Sequence, residues 1–553
     1  MAEVAIAPVL RLHDELYYLV FDYLCAIYPA GGENGLGWVS ATHVCSRWRR
    51  ISIDECATLW GESLCAFPKA FTTFLERARD AKLTIKLAEP DPLTEKSTWL
   101  ESDELRDLLA DLFRQRSQQV QHASFAFPAF RRKRPPFNPH AVFNNIAQVG
   151  NDPAASNTDP ELAADNARIT SRGEQASLLS SAVLSRTMGQ TLPRLRRLEI
   201  IYDVFQSSVQ STTLSNYTAF SAPSLVSLRL FRQRIRVDTL YNILRNTPLL
   251  EIFEVQWTAS DGIMMISDIP GLRLAEPLEL PHLKSFSLGS STLSLDNHCY
   301  FWNLIRAHAD VRLSFYGAVF SRQEAIDLVH MLAPQFQRPG LDMLTIRWGG
   351  AGRGAGLVLS SSTSTRSDPK PCIDIEFAVH VQPTYIPAVI EQTFTPADYA
   401  RIRVLNFDVG FGLMTMGLET VHFTALEELR VDLNPDGPLA ELDTFTQPDA
   451  AQPPSFPALK RLVLKRINLS AFSAWQGEWR AMANTFLRRR EELGVPLSKV
   501  VLRGMTLGSS VSLDGVEDDV AVRELGVHVE EVIDQRHDYT EGVLEIMADE
   551  DFL

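Results

Sequence analysis

The sequence is poor in several features that mark particular classes of protein. It has six cysteines in 553 residues and no C-x-x-C pair, so it contains neither a zinc ribbon nor a dithiol redox motif. Sparse cysteine is typical of the reducing cytosol or nucleus. The first twelve residues lack the basic start and apolar core of a signal peptide, and no run of 18 apolar residues occurs. We therefore predict a soluble protein of the cytoplasm, the nucleus or both.

The chain also lacks an excess of positive charge. Its formal net charge is -15, and residues 514–553 contain fourteen Asp or Glu and two Arg, so this stretch carries -12 and the remainder -3. Nucleic acid and anionic membranes attract basic surfaces, so this balance argues against both as partners. The segment 511–553 is predicted to be a solvated acidic tail.

Motifs of catalysis are missing as well. The glycines at 349–356 form neither G-x-G-x-x-G nor a phosphate-binding loop, and the sequence contains no H-E-x-x-H and no G-x-S-x-G. The twelve histidines are scattered, without the spacing of a metal site. We therefore predict no catalytic residues, no cofactor, no metal and no enzymatic activity.

What the sequence does contain is a helical stretch at residues 11–60. Helical spacing of apolar residues predicts a first amphipathic helix, with a stripe of Leu16, Leu19, Val20, Tyr23 and Leu24. A loop rich in glycine follows. A second helical stripe consists of Trp38, Ala41, Cys45, Trp48 and Ser52. A short helix near 54–60 would complete a three-helix unit.

This stretch resembles the F-box, in the F-box-like form common in mushroom-forming basidiomycete fungi. The matching segments are Leu12-His13-Asp14-Glu15-Leu16, Phe21-Asp22-Tyr23-Leu24, Leu36-Gly37-Trp38-Val39, Thr42-His43-Val44-Cys45, Arg47-Trp48-Arg49 and Leu59-Trp60. His13 and Ala57 stand where the family usually has prolines. The family's opening proline packs against the adaptor, so His13 predicts a weakened contact.

The resemblance implies the substrate-recognition subunit of a Skp–cullin–F-box ubiquitin ligase. Its N-terminal unit would dock on a Skp-type adaptor and, through it, on cullin, and it would hold a target close to the ubiquitin-transferring enzyme. The residues expected to bind the adaptor are Leu12, Glu15, Leu16, Phe21, Leu24, Val39, Val44 and Trp48. The alternative is a non-catalytic leucine-rich-repeat interaction scaffold, with no link to ubiquitin, whose N-terminal helices merely cap the repeats.

Beyond residue 177 the chain repeats the pattern P-x-L-x-x-L-x-L, or a close variant, six times. The first leucines of the copies are Leu195, Leu225, Leu250, Leu283, Leu426 and Leu459. The first four are 30, 25 and 33 residues apart, and the last two are 33 apart. The alternation at the end of each copy predicts a strand. Helical patterns follow at 238–246, 321–333 and 475–493, and weaker strands are predicted at 311–316, 341–348, 373–381, 402–409 and 500–503.

A strand and a helical return every 25 to 33 residues resemble a leucine-rich-repeat solenoid. The asparagine that follows each strand in that family occurs once, at Asn434, so the array is predicted to be irregular. The alternative is an unrelated α/β domain.

The predicted fold class is α/β: a three-helix F-box-like unit, then an irregular leucine-rich-repeat-like solenoid of short parallel strands and helices. The predicted divisions are an F-box-like domain at 10–62, a mixed connecting region at 63–150, a flexible linker at 151–177, the solenoid at 178–510 and the tail at 511–553. Exposed loops are predicted at 349–371 and 434–454.

If the repeats stack, the middle residue of each strand lies on one exposed face. The residues predicted there to contact a target are Glu199, Arg229, Glu254, Ser287, Arg430 and Val463. Their mixed charge favours a protein with complementary charges over an apolar ligand. An ordinary solvated sheet face, with the target bound elsewhere, is the alternative.

Overall fold

The chain is a mixed α/β protein with a large, mostly parallel sheet. The computed structural model describes residues 13–31, 35–88, 103–127, 189–202, 219–231, 235, 237–257, 276–294, 300–308, 310–318, 323, 330, 332–338, 340–350, 354–363, 372–378, 394–408, 422–432, 456–468, 476–505 and 523–535. The α-helices are α1 (Asp14–Ile27), α2 (Ser46–Glu55), α3 (Ala57–Glu62), α4 (Phe71–Ala78), α5 (Asp103–Gln115), α6 (Val237–Arg245), α7 (Pro396–Tyr399) and α8 (Gln476–Glu492). Short 3-10 helices cover Gly37–His43 and Pro68–Ala70.

The strands follow in chain order. They are β1 (Leu83–Ala88), β2 (Val120–Phe127), β3 (Arg197–Tyr202), β4 (Ser227–Phe231), β5 (Ile252–Trp257), β6 (Leu278–Glu279), β7 (Ser285–Ser294), β8 (Ile305–Arg306), β9 (Arg312–Ala318), β10 (Met343–Gly350), β11 (Gly354–Ser362), β12 (Ile373–Ala378), β13 (Val404–Asp408), β14 (Glu428–Asp432), β15 (Arg461–Asn468), β16 (Lys499–Met505) and β17 (Glu531–Gln535).

Contacts divide the chain into two units, Met1–Thr258 with Gly271–Leu283, and Ala259–Pro270 with Lys284–Leu553. In the first unit β1, β2, β3, β4 and β5 pair in parallel in that order. In the second unit the order is β7-β9-β12-β11-β10-β13-β14-β15-β16-β17. Only β11 runs against its neighbours β10 and β12 among these described strands.

The six copies of the repeat pattern form strands as predicted, namely β3, β4, β5, β7, β14 and β15. Their leucine positions are buried; Leu195, Leu198 and Ile200 are examples. A turn precedes each strand: the backbone N–H of Leu195 donates to Leu192 O at 3.2 Å, and the other copies repeat this bond. Pro193 occupies the second position of that turn, where its fixed φ is favourable.

Two further strands begin with the same turn. Before β10 the sequence Pro339-Gly340-Leu341 matches the pattern, whereas Ala400 stands in the place of the proline before β13. The N–H of Leu341 donates to Arg338 O, and that of Ile402 to Tyr399 O, before β10 and β13. We predicted strands here but not copies of the pattern. The turn geometry therefore recurs more often than its proline does.

Arginine side chains satisfy carbonyl groups near these turns. Arg401 Nη2 donates to Phe336 O at 2.7 Å, and Arg338 Nη1 donates to Val311 O at 2.7 Å. Buried polar groups require such partners. In a sequence without the asparagine ladder of leucine-rich repeats, guanidinium groups supply part of this hydrogen bonding.

Several expectations need correction. The second predicted helix is divided into a 3-10 helix and α2. Cys45, which lies between them, adopts an extended conformation (φ -157°). Strand β11 lies within the predicted loop 349–371, where its backbone pairs with β10 and β12. Strand β17 lies within the predicted tail, because residues 531–535 pair in parallel with β16. The predicted linker 151–177 and loop 434–454 lie outside the described residues.

The predicted connecting region contributes to the main sheet. Strand β1 and the unpredicted β2 lie within 63–150, and β2 pairs directly with β3 of the repeats. Among the described residues, no helix combines the length and apolar character needed to cross a bilayer.

Candidate protein-binding surfaces

An aromatic cluster holds the N-terminal helices together. Tyr17 and Phe21 of α1 are buried, and their ring centroids lie 5.7 and 5.5 Å from that of Trp48 in edge-on geometry. Trp38 in turn lies 4.8 Å from Trp60. Edge-to-face aromatic pairs add stability beyond the area they bury. The packing face of α1 is therefore the Tyr17–Phe21 face.

The indole N–H groups show how this core is satisfied. Trp38 Nε1 donates to Ser63 Oγ at 3.0 Å, and Trp60 Nε1 donates to Ser52 O at 2.7 Å. Trp48 Nε1 is buried and has no acceptor among the described residues. Trp48 thus contributes its ring to the cluster, and its polar atom is inaccessible to a partner in this conformation.

A second apolar face of α1 is open. Leu16, Leu19, Tyr23 and Ile27 lie one turn apart along the helix, and Leu19 and Tyr23 are 59% and 68% exposed. This stripe is turned about 135° around the helix from Tyr17 and Phe21, given 3.6 residues per turn. Tyr28, Leu36 and Val44 beyond it are exposed as well. We call these seven residues the apolar surface of the N-terminal unit.

The stripe predicted from helical spacing is therefore not the packing face. Leu16, Leu19 and Tyr23 are exposed, and Val20 and Leu24 are only half-buried. The segment is helical, as the spacing predicts. However, α1 is apolar on two faces, and periodicity alone does not tell which of them packs against the core.

The eight residues predicted to bind the adaptor separate into three groups. Glu15, Leu16 and Val44 are exposed and available to a partner. Leu24 and Trp48 are half-buried, whereas Phe21 and Val39 are buried in the unit's own core and cannot serve as contacts. Leu12 lies outside the described residues.

Five exposed residues of this surface were not among the predicted contacts: Leu19, Tyr23, Ile27, Tyr28 and Leu36. Leu19 and Tyr23 were predicted only as members of the apolar stripe of the first helix. The signal that could have found them is the surplus of apolar residues in α1, which exceeds what one packing face of a helix requires.

Three of the residues predicted to contact a target lie together in the first unit. Glu199, Arg229 and Glu254 occupy register positions on β3, β4 and β5. Arg229 lies 3.8 Å from Glu199 and 3.2 Å from Glu254, and Ser124 Oγ donates to Glu199 at 3.2 Å. This row therefore holds two carboxylates and one guanidinium, which lies between them.

Electrostatics in the row are uneven. Burial raises the pKa of Glu254, the Glu199 carboxylate raises it further, and Arg229 offsets part of the effect. The guanidinium of Arg229 therefore lies near two carboxylates. It offsets only part of the rise in the pKa of Glu254.

In the second unit two of the residues predicted to contact a target are accessible and one is buried. Ser287 and Arg430 are half-buried on their strands, and Arg430 pairs with Glu428, which also lies 3.0 Å from Arg461. Val463 is only 2% exposed, because β15 is covered on both faces. Val463 is a core residue and not a target contact.

The described residues contain no group of three or more side chains able to hold a metal. Burial raises the pKa of Cys65 and of Cys56 to about 12, so both thiols stay protonated and unreactive. No protein-family model matches the chain, and no curated protein shows significant similarity to it.

Proposed function

We propose that the chain is the substrate-recognition subunit of a Skp–cullin–F-box ubiquitin ligase. Its N-terminal helices would dock on a Skp-type adaptor and its repeats would hold a target protein. The observation that carries the proposal is the apolar surface of the N-terminal unit: ten large hydrophobic residues are exposed among the described residues, and seven of them fall between residues 16 and 44.

Such clustering indicates a docking surface. Single exposed apolar side chains are ordinary, but a contiguous patch marks a site of association. Four of the seven residues form one stripe along α1, on the segment that resembles the F-box, and the aromatic cluster packs against the other apolar face of the same helix. A preorganised apolar face suits a permanent partner, because little ordering accompanies binding.

For the remainder of the chain we propose an irregular leucine-rich-repeat-like array. The turn bond before each strand and the buried leucines of each copy support it. Parallel strands that repeat every 25 to 33 residues present one register row after another. Such an array offers an extended surface for a target.

The experiment is a pull-down of the full chain with purified Skp-type adaptor. The test variant is Leu19→Ser/Tyr23→Ser, whose side chains are exposed and whose loss leaves the aromatic cluster intact. The control is Leu249→Ser/Val527→Ser, two residues exposed to a similar degree elsewhere in the chain.

Wild type and control should bind the adaptor, and the test variant should bind about 30-fold more weakly, as expected when hot-spot contacts worth about 2 kcal/mol are lost. A folded wild-type chain that does not bind would instead support the interaction scaffold without a ubiquitin link. Equal binding of the two variants would remove the apolar surface from the proposal.

A further inference from the structure

The first unit carries a cluster of positive charge for which the described residues supply little opposing charge. Lys82, Arg196 and Arg197 are exposed, and His122 is half-buried among them. His122 on β2 and Arg197 on β3 are register partners, Arg196 directly precedes β3, and Lys82 directly precedes β1. Because neighbouring strands lie about 4.8 Å apart, the three cations are concentrated at one end of three adjacent strands. We call Lys82, His122, Arg196 and Arg197 the basic cluster.

Two exposed arginines stand side by side because of the repeat pattern. In L-x-x-L-x-L the two residues between the first leucines both point outward, since Leu195 and Leu198 are buried on either side of them. Arg196 and Arg197 therefore share one surface, although consecutive residues of a regular strand point in opposite directions.

The same position is neutralised in the second unit. There the residue after the first apolar position is Asp342, Arg403, Glu427 or Lys460 on successive neighbouring strands, so the sign alternates. Arg403 lies 3.9 Å from Asp342 and 2.8 Å from Glu427, and Lys460 lies 3.9 Å from Glu427. The opposite charges at this position therefore pair with one another across neighbouring strands.

Compensation is missing around Arg196. Its backbone bonds connect it to Gln121 on one side and Val226 on the other, and both side chains are uncharged. Within the described part of the chain, neither Arg196 nor Lys82 forms an ion pair. Arg197 has only Glu199, at 3.9 Å, and that carboxylate is shared with Arg229 and Ser124.

The pKa of His122 reflects this excess of positive charge. This pKa is lowered by burial first and then by the charges of Arg197 and Arg196; Glu199 opposes this shift, and Lys82 adds a smaller lowering. The imidazole is thus neutral near pH 7, and one ring nitrogen is available to donate to an anion.

We propose that the basic cluster binds an acidic segment of a partner protein, through carboxylate or phosphoryl groups carried on one extended chain. Arginines at this spacing offer charge-assisted, bidentate hydrogen bonds to such groups. The cluster is small, and the adjacent row carries the carboxylates of Glu199 and Glu254. A short run of two or three anionic groups therefore fits, whereas a continuous phosphate backbone would run into these carboxylates.

If the proposed function is correct, this partner would be a ubiquitination target. The binding of an anionic segment by the basic cluster does not depend on the proposed function. Peptide binding is measured without adaptor, and the cluster variant should retain adaptor binding. A chain that binds no adaptor would leave the peptide result unaffected, and the converse also holds.

The experiment measures fluorescence anisotropy of labelled peptides with the full chain. Three peptides share one Gly-Ser frame and carry three glutamates, three phosphoserines or three glutamines. The test variant is Arg196→Gln/Arg197→Gln. The control is Lys460→Gln/Arg488→Gln, which changes the net charge equally at exposed cations whose ion-pair distances are 3.9 Å.

Binding of either anionic peptide, weakened about tenfold or more by the test variant, kept by the control and reduced by added salt, is the expected result. Which anionic peptide binds more tightly distinguishes carboxylate from phosphoryl recognition. Binding of the glutamine peptide, equal losses in both variants, or no anionic binding would overturn the proposal. So would tighter binding of a single-stranded oligonucleotide that the test variant abolishes, because the partner would then be nucleic acid.

Discussion

Arg47 of α2 and Asp14 at the start of α1 form an ion pair, with 2.7 Å between Arg47 Nη2 and Asp14 Oδ1. The same guanidinium lies 4.8 Å from the centroid of the Tyr17 ring. It therefore contacts α1 through a carboxylate and through an aromatic face. This pair helps to set the orientation of the helix that presents the apolar surface.

The first prediction concerns this pair. Asp14→Asn and Arg47→Met should each lower the midpoint of thermal unfolding slightly, and the double variant should lose less than the sum of both, because the singles remove one shared interaction. Arg50→Met is the matched control, since Arg50 lies 4.0 Å from Asp14, and its effect should be smaller. Additive losses from Asp14→Asn and Arg47→Met would show that the two residues act independently.

The second prediction separates the two faces of α1. Phe21→Ala should lower the free energy of unfolding by about 3–5 kcal/mol, because it removes a buried ring from the aromatic cluster. Tyr23→Ala should change it by no more than about 0.5 kcal/mol, because that side chain is exposed. Denaturant unfolding of both variants measures the difference. Similar losses would mean that the exposed stripe also supports the fold.

The third prediction concerns a buried arginine of α8. Arg490 Nη2 donates to Phe456 O at 3.1 Å and to Leu459 O at 3.3 Å, and burial lowers its pKa to about 10, so it stays charged at neutral pH. Arg490→Met should cost about 1–3 kcal/mol, because the two carbonyls lose a donor. Denaturant unfolding with Arg489→Met as control checks this: Arg489 is half-buried and pairs with Glu492 across one turn. A cost no greater than that of the control would contradict the role.

The fourth prediction is a pH dependence at Glu254. Its folded-state pKa is raised above the ordinary value near 4.5, first by burial and then by Glu199. The folded state therefore binds the proton more readily than the unfolded state, and the stabilising contribution grows as pH falls through the raised pKa and fades as pH rises. Wild type should gain stability relative to Glu254→Gln as the pH falls from 7 toward 4.5, compared by denaturant midpoints. The same change in both proteins would exclude Glu254 as the source.

The strands of the repeats were predictable because their signal is local. Leu195, Leu198 and Ile200 must alternate to bury one face, and Pro193 marks the turn before them. Strand β17 was not predictable in this way. It lies in a strongly acidic stretch, and its pairing with β16 depends on backbone hydrogen bonds that carry little composition signal.

Candidate sites were predictable only in part. Register placed Glu199, Arg229 and Glu254 together correctly, because equivalent positions of equivalent strands become neighbours. The prediction that Val463 is exposed was wrong, although Val463 occupies the equivalent position of its strand. Whether the second face of β15 is covered depends on residues distant in sequence.

The sequence by itself determined the α/β class, most of the strands and the helical nature of the N-terminal stretch, because periodicity and turn chemistry act between near neighbours. Only the tertiary structure decided which apolar face of α1 remains open, because Leu19 and Phe21 are comparably hydrophobic and the choice depends on where Trp48 packs. It also decided which charges are compensated. Arg196 and Arg403 occupy the same repeat position, yet only Arg403 has an acidic neighbour across the sheet.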